Sequence, residues 1–200
     1  LDEVVEEKLT RARRRSDEAI ELINNVLKIS KLRIEDSFIK EEVDIASILA
    51  RAIKSAKVNA EAKGVKLSLI NHRKEKHTIE GDPLLIQIAL SNIISNAIKY
   101  NFMDGIVEIE VDEDKDNLII KVSDNGVGIP KEETEKIFND FYRASNIKHG
   151  SVEGSGLGLP VVKQIVERNN GIINVQSPSH LSTNKYPGTC IKITLPFFMN

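Results

Sequence analysis

The sequence, 200 residues long, has no tryptophan, a single cysteine and aromatic residues at only 4%. One thiol cannot form an internal disulfide. Cys190 stands in an alternating, strand-like run, where it reads as a small buried hydrophobe in a reducing compartment, so thiol redox chemistry is excluded. No apolar run approaches the ~18 residues a membrane-crossing helix needs, and the charged N-terminus lacks the apolar stretch of a secretory leader. The expected setting is cytoplasmic, with no membrane contact from this stretch, although a longer chain extending before Leu1 could carry an anchor. Charge of one sign is also missing: 28 basic residues against 30 acidic ones leave a formal net charge of −2. There is no general attraction to nucleic acid or to an anionic bilayer, and any phosphate-binding site must be built locally.

What is present is patterned. Val5, Leu9, Ala12, Ser16, Ala19, Ile23, Val26 and Ser30 alternate steps of four and three, a heptad stripe widened by Ile20, Leu27 and Ile34. No second long heptad helix follows to cover it, so the stripe predicts an intermolecular bundle, a homodimer through helix 1–36. The basic run RARRR at 11–15 reads as the solvated outer side of that helix. The heptad fails in RIEDSFIKEEVDI, which marks a joint near residues 35–43 and divides the chain into units 1–36 and 37–200.

In the second unit, Ile45, Leu49, Ile53, Ala56 and Ala60 predict an amphipathic helix over 45–63, stopped by Gly64, and VKLSLI follows as a strand. Asp82 as N-cap and Pro83 in the first turn open a helix over 84–100. Alternating strands over 106–111 and 117–123 flank DEDKDN, a charged hairpin turn that lacks the glycine and spaced ligands of a calcium loop. A helix over 160–169, a strand over 172–177 and a closing strand in TCIKITLPF complete the chain. Helices and strands mix without strict alternation, so the predicted class is an α/β (α+β) two-layer sandwich with a mixed sheet packed on helices.

Three stretches carry chemistry. In SNIISNAIKYN, Asn92 and Asn96 lie just over one helical turn apart, so both amides share a side with an otherwise apolar run. In DNGVGIP, Asp124 ends a strand, and Gly126 and Gly128 permit a close backbone approach. In GSGLGLP, Gly154, Gly156 and Gly158 lead into a helix whose first N–H groups and positive dipole end would face an anion. Neither GxxxxGK[ST] nor a strand running directly into GxGxxG is present, so this is neither a P-loop nor a Rossmann turn. The long glycine-rich stretch 124–158 between periodic elements reads as a functional loop.

Taken in order, NIISNAIKY, DNGVGIP, IFNDF and GSGLGLP resemble the N box, first glycine box, F box and second glycine box of sensor histidine kinase ATP-binding domains, within the Bergerat-type superfamily that includes gyrase B and the heat-shock chaperone. LTRARRRSDEAIELINNVLKISKLRIED is similar to the second helix of the dimerisation and phosphotransfer domain of those kinases. The resemblance implies ATP and Mg2+ as ligands. Asn96 would coordinate the magnesium, Asn92 and Lys99 would reach phosphate, and Tyr100 would pack near the ring system. Asp124 would accept the adenine amino hydrogen, Gly126, Gly128 and Ile129 would floor the adenine, and Thr189 would help hold it. Gly154, Gly156, Leu157, Gly158 and Leu159 would cradle phosphates and hinge a lid that brings Tyr142 and Arg143 to the nucleotide. Phe138 and Phe141 are expected as core residues anchoring that lid, while Glu153 and Pro160 depart from the usual glycine and alanine.

Hydrolysing relatives typically carry a glutamate general base where Asn92 stands, and an amide has no useful basicity near neutral pH. The resemblance thus implies phosphoryl transfer to a histidine, for relay to the receiver domain of a response regulator. The rivals are a Bergerat-type hydrolase and a non-catalytic dimeric nucleotide-binding scaffold, the latter disfavoured because Asn92, Asn96, Lys99 and Asp124 are all kept. None of His72, His77, His149 or His180 precedes an acidic residue or lies in the N-terminal helix. The expectation is a piece of a longer kinase that begins after its acceptor helix.

Overall fold

The computed structural model describes residues 41–73, 78–147 and 154–197, together with Val5, Glu6, Lys8, Leu9, Ala12 and Ser16. These six are helical and exposed in the single chain, including four of the heptad positions. The remainder of the heptad stretch, and the joint up to residue 40, lie outside the described residues.

Helix boundaries follow their caps. Helix α1 (Ile45–Ala62) starts where the Asp44 carboxylate accepts the Ala46 N–H at 3.0 Å, and it ends before Gly64, whose φ of +69° is left-handed. Helix α2 (Pro83–Lys99) starts where Asp82 Oδ1 accepts the Leu84 and Leu85 N–H groups at 2.9 and 3.1 Å. Its last carbonyls, those of Ile98 and Lys99, accept hydrogen bonds from Lys63 Nζ at 3.1 and 2.8 Å. A cation at a helix C-terminus opposes the dipole, and burial lowers the Lys63 pKa. Helix α3 (Gly158–Arg168) begins two residues earlier than the sequence pattern suggests.

Strands β2 (Lys66–Asn71), β4 (Ile106–Glu113), β5 (Asn117–Asp124), β6 (Ile172–Gln176) and β7 (Cys190–Pro196) form one sheet in the order β2-β4-β5-β7-β6. The β2–β4 pair is parallel and the other three pairs are antiparallel, a mixed open sheet as expected. β1 (Glu41–Val43) and β3 (Ile79–Gly81) pair separately as a short antiparallel ribbon. The β4–β5 hairpin is longer than expected because Asp114 Oδ1 accepts the Asp116 and Asn117 N–H groups and closes a tight turn at the strand ends.

Strand alternation makes the sheet one-sided. Val107, Ile109 and Val111 of β4, Leu118, Ile120 and Val122 of β5, and Ile191, Ile193 and Leu195 of β7 are buried against the helices. Glu108, Glu110, Lys121 and Lys192 occupy the alternate positions on the outer side. Ile93 and Ile94 of α2, Leu49 of α1 and Val161 and Val162 of α3 close the core, each side chain contributing on the order of 1.5–3 kcal/mol. Helix α2 packs between α1 and α3 over the centre of the sheet, so the side of it turned toward α3 and the end of β5 opens on a cleft.

Candidate functional site

The cleft is built first by α2. Its Ile93, Ile94, Ala97 and Ile98 are buried, while Asn92, Asn96 and Lys99 line the cleft at spacings of four and three. Asn92 Nδ2 is buried without a hydrogen-bond partner. Across the cleft lies the first turn of α3. A Cβ placed on Gly158 would come within 3.7 Å of Asn92 Oδ1 and 3.9 Å of Asn96 Nδ2. No side chain caps α3, so the N–H groups of that turn remain for an anion.

The other end of the cleft is Asp124, at the last position of β5. Its Oδ1 accepts the Gly126 N–H at 2.8 Å and the Thr189 N–H at 3.2 Å, which leaves Oδ2 as an acceptor for a ligand. Its main chain is held equally firmly: the Asp124 N–H donates to the Thr189 carbonyl at 2.8 Å, and Ser179 Oγ donates to the Asp124 carbonyl at 2.7 Å. Burial pushes the Asp124 pKa up to about 6, and the two N–H bonds act against that rise. At that value the carboxylate is mostly ionised at neutral pH. Gly126 is required where it stands because the Tyr100 carbonyl and Asn101 leave no room for a Cβ, and the Val127 N–H donates to that same carbonyl at 3.1 Å. Gly128, at φ +68°, packs against Pro187, and the Ile129 N–H donates to Ser177 Oγ at 3.0 Å.

The third wall is the segment after Pro130, which runs through three 3-10 turns at Lys131–Glu133, Lys136–Phe138 and Ser145–Ile147. Buried Glu133 accepts the Ser145 N–H at 2.8 Å, and Asn146 Nδ2 donates to the Gly128 carbonyl at 3.0 Å. These bonds bring Tyr142, Arg143, Ala144 and Ile147 to the cleft. The chain returns through Gly154, where a Cβ would sit 3.1 Å from both Lys99 Nζ and the Tyr100 hydroxyl. At Gly156, with φ +73°, a Cβ would lie 2.7 Å from the Phe141 carbonyl carbon, closer than real side chains come.

Of the expected ligand residues, Asn92, Asn96, Lys99, Tyr100, Asp124, Gly128, Ile129, Tyr142, Arg143, Gly154, Gly156, Gly158, Leu159 and Thr189 line one cleft. Gly126 and Leu157 do not line it: Gly126 supports the turn from behind, and Leu157 is 1% exposed in the interior. Phe141 corrects an expectation. It is 64% exposed in the turn between two 3-10 segments, where a φ of +62° turns the aromatic outward, and Ile137 is the buried anchor of that stretch. Phe138 is half-buried beneath Lys163 Nζ, 5.8 Å from the ring centroid. Ile93, Ser95, Ala97, Val122, Val127, Ser155 and Ile191 line the cleft without having been expected. Val122 and Ile191 could have been found by counting back along the alternating strands. Glu153, His77 and His149 lie outside the described residues, and His72 and His180 are exposed away from the cleft.

The chain is similar to known proteins in sequence and in fold. A family model described as histidine kinase-, DNA gyrase B-, and HSP90-like ATPase matches residues 81–198. The chain belongs to this family. It is 33% identical to the sensor histidine kinase WalK of Bacillus subtilis over 91% of its own length and 29% of that protein's. It is also 33% identical to the sensor protein kinase WalK of Staphylococcus aureus, over 98% of its own length and 46% of that protein's. The chain thus spans less than half of the curated relatives it matches. Among solved structures, the mycobacterial sensor histidine kinase MprB superposes with a TM-score of 0.68 at 28% identity, covering 80% of this chain and 98% of MprB. The full-length ShkA crystal structure, in complex with AMPPNP, shares the fold at a TM-score of 0.76 and 23% identity, covering 98% of this chain and 39% of ShkA. The ATPase description of the family implies nucleotide binding, and the cleft between α2, β5 and α3 is the candidate place for it. Mg2+, a hard cation that takes few protein ligands and keeps water, would be held by the oxygen of the Asn96 amide, which lines this cleft and whose Nδ2 lies near the α3 turn.

Proposed function

We propose that the chain is the ATP-binding catalytic part of a two-component sensor histidine kinase. Asp124 Oδ2 accepts the adenine amino hydrogen, with Thr189, Gly128 and Ile129 around the base and Tyr100 against the ring system. Lys99 and the open turn of α3 at Gly158 and Leu159 hold the phosphates, closed over by Gly154, Gly156, Tyr142 and Arg143. Mg2+, carried on Asn96, would neutralise charge on the phosphates during transfer. Residues 1–36 supply the second helix of a dimerisation domain, and residues 37–200 the catalytic domain.

The observation that carries the reaction type is Asn92. Its amide lies at the phosphate end, where its Oδ1 faces the α3 turn and its Nδ2 has no protein partner. An amide can position a phosphoryl group but cannot deprotonate water, so the acceptor must already be nucleophilic, as a neutral imidazole is. The γ-phosphoryl therefore passes to a histidine outside the four in this chain, and from there to an aspartate on a receiver domain. That ShkA was solved with AMPPNP, and that a histidine kinase named ThkA, with this fold at a TM-score of 0.72 and 20% identity, was solved with its response regulator, supports the reading.

The test is transfer from γ-labelled ATP in the presence of magnesium and a separately purified dimerisation domain bearing an acceptor histidine. Label should appear on that domain, stable in base and labile in acid. Rapid release of inorganic phosphate without an acceptor would replace the kinase by a hydrolase. ATP binding with neither outcome would favour the scaffold.

A further inference from the structure

The outer side of the sheet, away from the cleft, carries a cluster that nucleotide binding does not use. Glu108 and Glu110 are alternate residues of β4, so both carboxylates project to that side. His180, from the connection between β6 and β7, meets them there, its Nε2 2.8 Å from Glu108 Oε1. One ligand atom from each of Glu108, Glu110 and His180 lies within 4.8 Å of the others, and among the described residues no other group of His, Cys, Asp and Glu does this. Beside them is a second oddity. Ser123 is the register partner of Glu108 on the same side of the sheet, it is 0% exposed, and its hydroxyl has no hydrogen-bond partner.

We infer that Glu108, Glu110 and His180 form a binding site for a divalent transition-metal cation of the zinc class. One imidazole and two carboxylates are the donor set of three-ligand zinc sites, which keep a further position for water. Tetrahedral ligands at zinc distances lie about 3.3 Å apart, so side-chain rotation alone closes the group around an ion. Lys121 engages Glu110 Oε2 at 3.0 Å, and the carboxylate has a second oxygen to give. Lys121 bonds Glu110 but not Glu108, and a doubly charged ion would supply the missing counter-charge to Glu108. Imidazole separates this site from the oxygen-only magnesium position at Asn96. The buried Ser123 hydroxyl is the polar neighbour expected next to a metal-bound water.

The consequence is mechanical. The connection bearing His180 also holds Asp124, through Ser179 Oγ to the Asp124 carbonyl and through the Thr189 N–H to its carboxylate. A cation on His180 would tie this connection to β4, with Asp124 between the two attachments.

Calorimetric titration of the purified, nucleotide-free chain with Zn2+ tests the site without any assay of the kinase reaction. One equivalent should bind with micromolar or tighter affinity. His180→Ala and Glu108→Gln should each weaken it by at least about tenfold, whereas His72→Ala should leave it unchanged. Hydrogen exchange of the amides in 179–189 should slow on adding Zn2+ in the parent chain but not in His180→Ala. Undiminished binding in His180→Ala, loss of binding in His72→Ala, or no saturable binding at all would overturn the site and leave the cluster as a His180–Glu108 hydrogen bond beside a Lys121–Glu110 ion pair.

Discussion

The two ends of the cleft are built in opposite ways. At the Asp124 end the polar groups of the turn bond to one another: the Gly126 and Thr189 N–H groups to the carboxylate, Ser179 to the carbonyl, Ser177 to the Gly188 carbonyl. At the Asn92 end an amide nitrogen is buried with no partner, opposite a helix start that no side chain caps. One end is rigid before any ligand arrives, and the other is completed by what binds. The rigid end can afford selectivity, because a rigid acceptor discriminates between donor and acceptor edges of a base. The incomplete end suits phosphates, whose many oxygens satisfy orphan donors and whose charge is wanted only during the reaction.

Asp124→Asn breaks the rigid end most directly. The amide oxygen can still accept the Gly126 and Thr189 N–H groups, but its NH2 would face the adenine amino group donor to donor. ATP affinity should fall by roughly a hundredfold, about 2–3 kcal/mol for an unsatisfied polar contact, measured by calorimetry. The free protein should be no less stable, because a carboxylate that burial disfavours has been removed. Unchanged ATP affinity would remove Asp124 from the base pocket.

Asn96→Ala acts at the other end and should cost about tenfold to a hundredfold in transfer, with the magnesium dependence of ATP binding flattened. If that dependence stays as in the parent chain, the metal is held elsewhere.

The pH profile sharpens the contrast. Asp124 has a folded pKa of about 6 against an ordinary 3.8, so the folded state holds more protons between those values. Its carboxyl favours folding fully below the lower value, and that contribution is lost as pH rises through 6, on the order of 3 kcal/mol in all. Under the proposed adenine contact ATP binding runs the other way, because the base would need the carboxylate. Affinity should fall about tenfold per unit as pH drops below 6. The difference in stability between the parent chain and Asp124→Asn, followed by denaturant unfolding from pH 4 to 8, isolates this group from the other carboxylates. A flat difference would place the Asp124 pKa at its ordinary value.

How much of this was legible in the sequence depends on distance along the chain. Asn92, Asn96 and Lys99 share one helix, and the cap at Asp82 and the strand before Asp124 are local signals that survive folding. The Asp124 network was not legible beyond the expected Thr189, because Ser179 and Gly188 reach it from a connection 55 or more residues away. Phe141 was misread for a different reason. Periodicity assigns sides only within regular elements, and a turn residue at positive φ, between two 3-10 segments, sends an aromatic outward as easily as inward. β1 and β3, at three residues each, are too short for a period of two to register. Pairing across the chain decided them.

The smallest effect tests the incomplete end without any ligand. Asn92→Leu keeps the number and branching of the side-chain heavy atoms and removes the buried, unpartnered Nδ2. If that amide is held for phosphate at the expense of folding, the substitution should stabilise the free protein by about 1 kcal/mol, a rise of roughly 2–4 °C in Tm, while transfer is lost. The matching change at the rigid end, Ser179→Ala, removes a donor to the Asp124 carbonyl and should destabilise by a similar amount. Opposite signs from two single-residue changes at the two ends of one cleft would confirm that function is set against folding at only one of them. A loss of stability in both would mean that the Asn92 amide is satisfied in solution, and that the phosphate end is as complete as the base end before ATP binds.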